Sequence, residues 1–316
     1  MVNNEVAQGR EHDVAKEKKN DEPRQEQEVE QTFKEKTIAF LKETGIVLGM
    51  FLIINNFLIA SFLVPTGSME NEVLTGELLF VNKFIYGGTS PRNIPFTNVR
   101  LPWFRVPGLR DVHRGDVIVF VFPGMRDEVQ PEEFTFYLKR CVGLPGDTIL
   151  IDNRALAVNG ELLPLPRNVR FDRPWTSQPG QVEDRIFPKG APWNEDFYGP
   201  LVVPKKGMVI PLSRENFPGW EVFIRREGHT AQLSGEVVLV DGQPVKEYTV
   251  QRDYLFGMGD HRDNSLDSRY WGFIPRENLV GTPLITYWSW NTDIPLYDIF
   301  NRIGSVRWGR IGSLIK

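Results

Sequence analysis

The chain has 316 residues, 41% of them hydrophobic, and a formal net charge of −4. That is enough apolar content for a sizeable core, with no basic excess of the kind that binds nucleic acid. The single cysteine, Cys141, rules out an intrachain disulfide, and the four histidines, His12, His113, His229 and His261, show no metal-ligand spacing, so neither a metal nor another cofactor is expected.

Residues 1–32 are rich in Glu, Lys, Gln and Asn and almost without large apolar side chains. They bury too little surface to offset ordering entropy, and a solvated tail up to residue 44 is expected. Gly45–Val64 then runs for 20 residues without Asp, Glu, Lys or Arg. A helix of that length reaches about 30 Å, the thickness of the hydrocarbon layer, so a membrane-spanning helix over 45–64 is expected. Asn55-Asn56 is a blemish in it, since paired amides in lipid need partners. Lys34, Lys36 and Lys42 flank its N-terminal side, and no basic residue follows the run before Lys83. The positive-inside rule places the tail in the cytoplasm and the remainder outside.

From Leu78 onward the pattern is β. Leu78–Phe84, Val117–Phe122, Phe134–Val142, Thr148–Val158, Val237–Val240 and Leu284–Trp290 are short runs rich in Val, Ile, Phe and Tyr. Asn159-Gly160 and Asp241-Gly242 read as tight hairpin turns. The expected fold is mainly β: an antiparallel sheet domain over 65–160 and 236–316, interrupted by an irregular Pro- and Trp-rich subdomain over 161–235 and anchored by one N-terminal transmembrane helix.

Ser68, in Pro65-Thr66-Gly67-Ser68-Met69, follows the apolar run by four residues, a place for a hydroxyl nucleophile at a membrane surface. A serine needs a base. His261 is one candidate. Lys139 is another, because it lies in the apolar strand pattern Phe134–Val142, where desolvation would lower its pKa toward neutrality. On the local pattern alone, a strand lysine whose head reaches water is the better supported alternative. Thr66 and the Ser68 amide could donate to an oxyanion. In the block Gly257–Gly272, Asp267 and Arg269 could pair, and Ser265 could orient an amine.

Four blocks together resemble those of bacterial type I signal peptidases. They are Pro65–Met69, Arg114–Phe120, Tyr137–Asp147 and Gly259–Gly272, in that order after the apolar run. The likeness covers 45–83, 111–160 and 236–312, and leaves out the tail, 84–110 and much of 161–235. It implies a membrane-bound serine endopeptidase that removes signal peptides from exported preproteins after small-x-small sites. Its partners would be secretory preproteins and the lipid bilayer, and its place the inner (plasma) membrane with the catalytic domain on the outer face. Ser68 would be the nucleophile, Lys139 its base, Ser265 the group orienting Lys139, and Thr66 part of the oxyanion hole. Asp267 with Arg269, and Asp260 with Gly259, would support the site. Phe62, Val64 and Leu138 would line shallow pockets for the substrate's first and third residues before the cut. Two departures stand out: Thr66 replaces a serine but keeps the hydroxyl, and His261 stands where Asn is frequent, which argues against it as the base. A repressor-type self-cleaving protease would carry a DNA-binding module, which this chain lacks. A catalytically silent envelope scaffold would not need both Ser68 and Lys139. The C-terminal run Ile299–Ile311 mixes Arg, Trp and Ile, as a lipid-interface patch or an ordinary amphipathic element would.

Overall fold

The computed structural model describes residues 34–90, 102 and 104–316; the expected solvated tail before residue 34 lies outside them. In chain order the elements are helix α1 (Lys34–Leu58), strands β1 (Ile59–Leu63), β2 (Glu77–Asn82), β3 (Val117–Val121), β4 (Phe136–Gly143), β5 (Thr148–Asp152), β6 (Ala155–Val158), β7 (Glu161–Leu162), β8 (Tyr198–Val202) and β9 (Val209–Pro211). Helix α2 (Phe217–Arg226) follows, then β10 (Ala231–Ser234), β11 (Val237–Val240), β12 (Gln243–Val245), β13 (Glu247–Thr249) and β14 (Tyr254–Met258). The chain ends with α3 (Ser268–Trp271), β15 (Ile274–Pro275), β16 (Leu279–Ser289) and α4 (Ile299–Gly304).

Helix α1 begins earlier and stops sooner than the apolar run suggests. Residues 34–44, expected in the tail, are helical, and they are mostly good helix formers. The helix widens into a π turn over Ile54–Leu58, which contains the Asn55-Asn56 pair. Residues 59–63, expected in the membrane helix, are instead strand β1, paired antiparallel with β2 from Ile59↔Asn82 to Leu63↔Leu78. The pairing continues through the Val64 N–H, which donates to Glu77 O at 2.9 Å. An apolar stretch rich in Ile, Phe and Leu serves an edge strand as well as a lipid-facing helix, and here the inter-strand bonds and the burial of Ala60 and Val64 decide. Ile46, Val47, Leu48, Met50, Phe51 and Ile53 of α1 are all exposed. It is the one helix among the described residues long and apolar enough to cross a membrane.

The main sheet has seven strands in the order β1-β2-β16-β3-β4-β14-β15, and every pairing is antiparallel. β3 shows why its sequence is unbroken Val-Ile-Val-Phe-Val. Side chains alternate across a strand. Val117 and Val119 join a core with Val64, Met69 and Leu79, whereas Ile118 and Phe120 join another with Cys141, Leu255 and Trp271. Burial on both faces removes the polar alternation.

A third core underlies the smaller sheets β7-β6-β5-β8, β10-β11-β12 and β13-β9, with Ile149, Tyr198, Ile224 and Phe256 among its buried members. The run read as one strand over 148–158 is a hairpin, turned by Asn153 and Arg154 at φ 48° and 70°. The turns expected at Asn159-Gly160 and Asp241-Gly242 connect β6 to β7 and β11 to β12. Residues 160/161 and 235/236, where the insertion was expected to begin and end, fall inside hairpins. The segment expected as an insertion also holds α2, which no sequence periodicity announced.

Candidate active site

Ser68 sits in the turn between β1 and β2. Val73 N–H donates to Met69 O at 2.8 Å and Glu70 N–H to Gly67 O at 3.0 Å, so the turn is internally bonded. The side chain of Met69 packs into the core, and Ser68 itself is buried. On the far side of the cleft, Lys139 lies in β4 opposite Ile118 of β3 and is only 3% exposed. Its stem has room because position 257 is Gly: a Cβ there would lie 3.2 Å from Lys139 Cβ.

Lys139 Nζ lies 2.7 Å from Ser68 Oγ and donates to Leu138 O at 3.1 Å. Burial pushes the amine down to about 8; the Asp267 carboxylate opposes that, Arg269 reinforces it and Asp260 opposes it. Both ingredients of a serine–base pair, contact distance and an amine titrating near neutrality, are therefore present.

The surrounding charges are fixed in pairs. Asp267, fully buried, accepts from Arg269 Nε and Nη2 at 2.9 and 2.8 Å and from the Gly259 N–H at 3.0 Å. Burial alone would raise its carboxyl, but the Arg269 charge, its hydrogen bonds and the Gly259 donor hold it below the ordinary value. Asp260 accepts from Arg140 Nε and Nη2 at 2.8 and 2.5 Å. Arg140, next to Lys139, also donates to Gly115 O and Lys316 O.

Gly259 is where three segments meet. A Cβ there would lie 2.1 Å from Ser265 Oγ and 2.5 Å from Ser68 O, so only glycine fits. Ser265 was expected to orient Lys139, but its Oγ is buried and has no hydrogen-bond partner among the described residues. The structure therefore brings Ser265 close to the turn that carries Ser68 without joining it to the amine. Thr66 is exposed at the rim of the cleft. His261 does not face the serine hydroxyl: its ring nitrogens contact Gly67 O and Asp172.

A cleft of about 320 Å³ opens beside Ser68 and Lys139. Phe62, Val64 and Leu138 line it, and Leu79, Val119 and Phe136, which were not singled out, complete its apolar wall. Phe62 and Phe136 meet edge to face with centroids 4.9 Å apart, joining β1 to β4 across the cleft. Nothing local marks Leu79 and Val119 as lining residues; their role comes from the curl of the sheet. Cys141 offers no rival nucleophile, because burial pushes its thiol up to about 12.

A sequence model of the family described as signal peptidase, peptidase S26, matches residues 37–288. The chain belongs to that family. It is a serine peptidase. Signal peptidase I of Pseudomonas aeruginosa is 29% identical over 275 residues, spanning 82% of this chain and 76% of the relative. Signal peptidase I of Pseudomonas fluorescens is 30% identical over 275 residues, 83% of this chain and 76% of the relative. Signal peptidase I of Helicobacter pylori strain J99 is 27% identical over 263 residues, 78% of this chain and 80% of the relative. A solved signal peptidase I from Enterococcus faecalis V583 covers 55% of this chain and 98% of its own at 19% identity and TM-score 0.28, a likeness too slight to carry any argument. Within the signal peptidase family, the cleft beside Ser68 and Lys139 is this chain's candidate active site.

Proposed function

We propose that this chain removes N-terminal signal peptides from exported preproteins, cutting after small-x-small sequences with Ser68 as nucleophile and Lys139 as base. The observation that carries the reading is the buried Lys139 amine 2.7 Å from Ser68 Oγ. The neutral amine takes the proton as Oγ attacks the scissile carbonyl. The oxyanion that forms receives hydrogen bonds from the Ser68 N–H and, after rotation of its side chain, the Thr66 hydroxyl. Collapse of this intermediate breaks the C–N bond, and the Lys139 ammonium returns its proton to the leaving amine. A water deprotonated by Lys139 then releases the acyl group from Ser68 and regenerates the site.

The preprotein lies extended in the cleft, adding along the edge strand β1. Phe62, Val64 and Leu138 bound shallow apolar pockets that accept small side chains one and three residues before the cut. The buried Asp267–Arg269 and Arg140–Asp260 pairs hold the loops that carry these groups. Helix α1, with 25 residues, reaches about 37 Å and spans the bilayer. Lys34, Lys36 and Lys42 in its N-terminal part keep that end in the cytoplasm and put the peptidase domain on the outer face.

The test is cleavage of a preprotein whose signal ends in Ala-x-Ala by the purified full chain in lipid vesicles, with sequencing of the new N-terminus. Cleavage after the second Ala, blocked when the first is replaced by Phe, is expected. Cleavage elsewhere, or indifference to the Phe, would contradict the assigned specificity.

A further inference from the structure

Residues 168–173 lie outside the four blocks singled out in the sequence, yet they are bonded both to the 260–263 loop beside Ser68 and to the turn that carries Ser68. The Arg170 N–H donates to Asp260 O at 2.8 Å, and the Arg262 N–H donates to Arg170 O at 2.9 Å. The N–H groups of Asp172 and Arg173 both donate to Asp263 Oδ2 at 2.8 Å. On the other side, Asn71 Nδ2 donates to Asn168 O at 3.4 Å, Asn168 donates to Glu72, and Arg170 Nη1 lies 3.2 Å from Glu70 Oε2.

His261 joins the two sides. Its side chain is 3% exposed, with Nε2 2.6 Å from Asp172 Oδ2 and Nδ1 3.3 Å from both Gly67 O and Glu70 Oε2. Its backbone N–H donates to Ser68 O at 3.2 Å. One residue thus holds the carbonyls on both flanks of Ser68. A trans peptide is planar, with its N–H opposed to its C=O. Anchoring Gly67 O therefore sets the direction of the Ser68 N–H, the donor that the mechanism aims at the oxyanion.

We propose that His261, itself held by Asp172, is a positioning residue that fixes the Gly67–Ser68 peptide plane and so aims the Ser68 N–H at the developing negative charge. The ring takes no proton from Ser68. Asp172, Glu70 and Arg170 are each about two-fifths exposed, so their mutual attraction in water adds little. What matters is orientation, supplied through a buried ring and paired backbone. This rests on the assignment of Ser68 as nucleophile.

The test compares full-chain enzymes on one preprotein. His261→Ala should lower kcat by about 10- to 100-fold, the loss expected when an oxyanion donor is misaimed, with KM within about threefold of wild type. His261→Asn, which keeps a donor near the Nδ1 position, should recover most of that kcat. Asp172→Ala should lower kcat by about threefold and add nothing in the His261→Ala background, as expected of residues acting in series. Asp172 is at the surface, so its variant carries the test on its own should His261→Ala fail to fold. Wild-type kcat in either folded variant overturns the proposal. So does a loss in His261→Ala as deep as that in Ser68→Ala, which would put the ring in the chemistry itself. Ser68→Ala assayed in parallel separates the two levels. Activity surviving there overturns the nucleophile assignment and this inference together, whereas loss there with unchanged kcat in His261→Ala overturns this inference alone.

Discussion

Replacing Lys139 by methionine should make the fold more stable while it removes the amine from the site. Burial brings the Lys139 amine from its ordinary 10.5 down to about 8. At pH 7 the folded chain still holds this group mostly charged, in surroundings that disfavour the charge. The gap of 10.5 − 8, at about 1.36 kcal/mol per pH unit, corresponds to ~3 kcal/mol. Methionine removes that cost and forfeits the hydrogen bonds to Ser68 Oγ and Leu138 O, worth about 1 kcal/mol each. The net gain at pH 7 is ~1 kcal/mol. The sign with pH follows from proton counting. Between about 8 and 10.5 the unfolded chain binds more protons at this position than the folded chain, so wild-type stability rises with pH through that window. Lys139→Met lacks the contribution, and its advantage should shrink across the same window. Urea unfolding of both full-length proteins in detergent, followed by tryptophan fluorescence from pH 6 to pH 10, reads the difference. A variant less stable at pH 7, or an advantage that does not change with pH, would refute the desolvation argument.

Other outcomes follow from the same geometry. The working form of Lys139 is neutral, so log kcat/KM should climb with a slope near one below about pH 8 and level off above it; a profile flat from pH 6 to pH 9 would count against the amine as base. Gly259→Ala should lower kcat by at least tenfold, because the new methyl would collide with Ser68 O and Ser265 at the nucleophile turn, and steady-state kinetics on a preprotein would show it. Asp267→Ala strands the buried Arg269 charge and should destabilise the fold by ~3–5 kcal/mol, measured as a lowered urea midpoint; a midpoint within error of wild type would mean that the pair is not buried as described.

Several strands were legible because they are short runs rich in Val, Ile, Phe and Tyr, and β3 and β4 emerged nearly at their observed ends, whereas β14 at Tyr254–Met258 did not. The end of α1 was not. Ile59–Leu63 is apolar enough for lipid, and only its partner β2, contributed by residues further along the chain, makes it a strand. Helix α2 was hidden by Pro218 and Gly219 at its start, residues that read as a loop. At the site, Ser68 stood out through its place just after the apolar run, whereas Lys139 read locally as a strand lysine whose head reaches water, and only the resemblance paired the two. The partners of His261 did not stand out, because Asp172 and Glu70 are distant in sequence and ordinary in context. A separation along the chain carries no signal of a contact made only once these loops pack together. The expected bond from Ser265 to Lys139 failed at the finest level, since a hydroxyl's direction is fixed by rotamer and packing rather than by residue type.

The central claim is that an unprotonated Lys139 activates Ser68. It is tested most directly by the cleavage rate of one Ala-x-Ala preprotein with wild type, Ser68→Ala and Lys139→Met, each folded and in the same vesicles. The account predicts cleavage by wild type and none above background by either variant. Turnover by Lys139→Met or Ser68→Ala at a substantial fraction of the wild-type rate would contradict it.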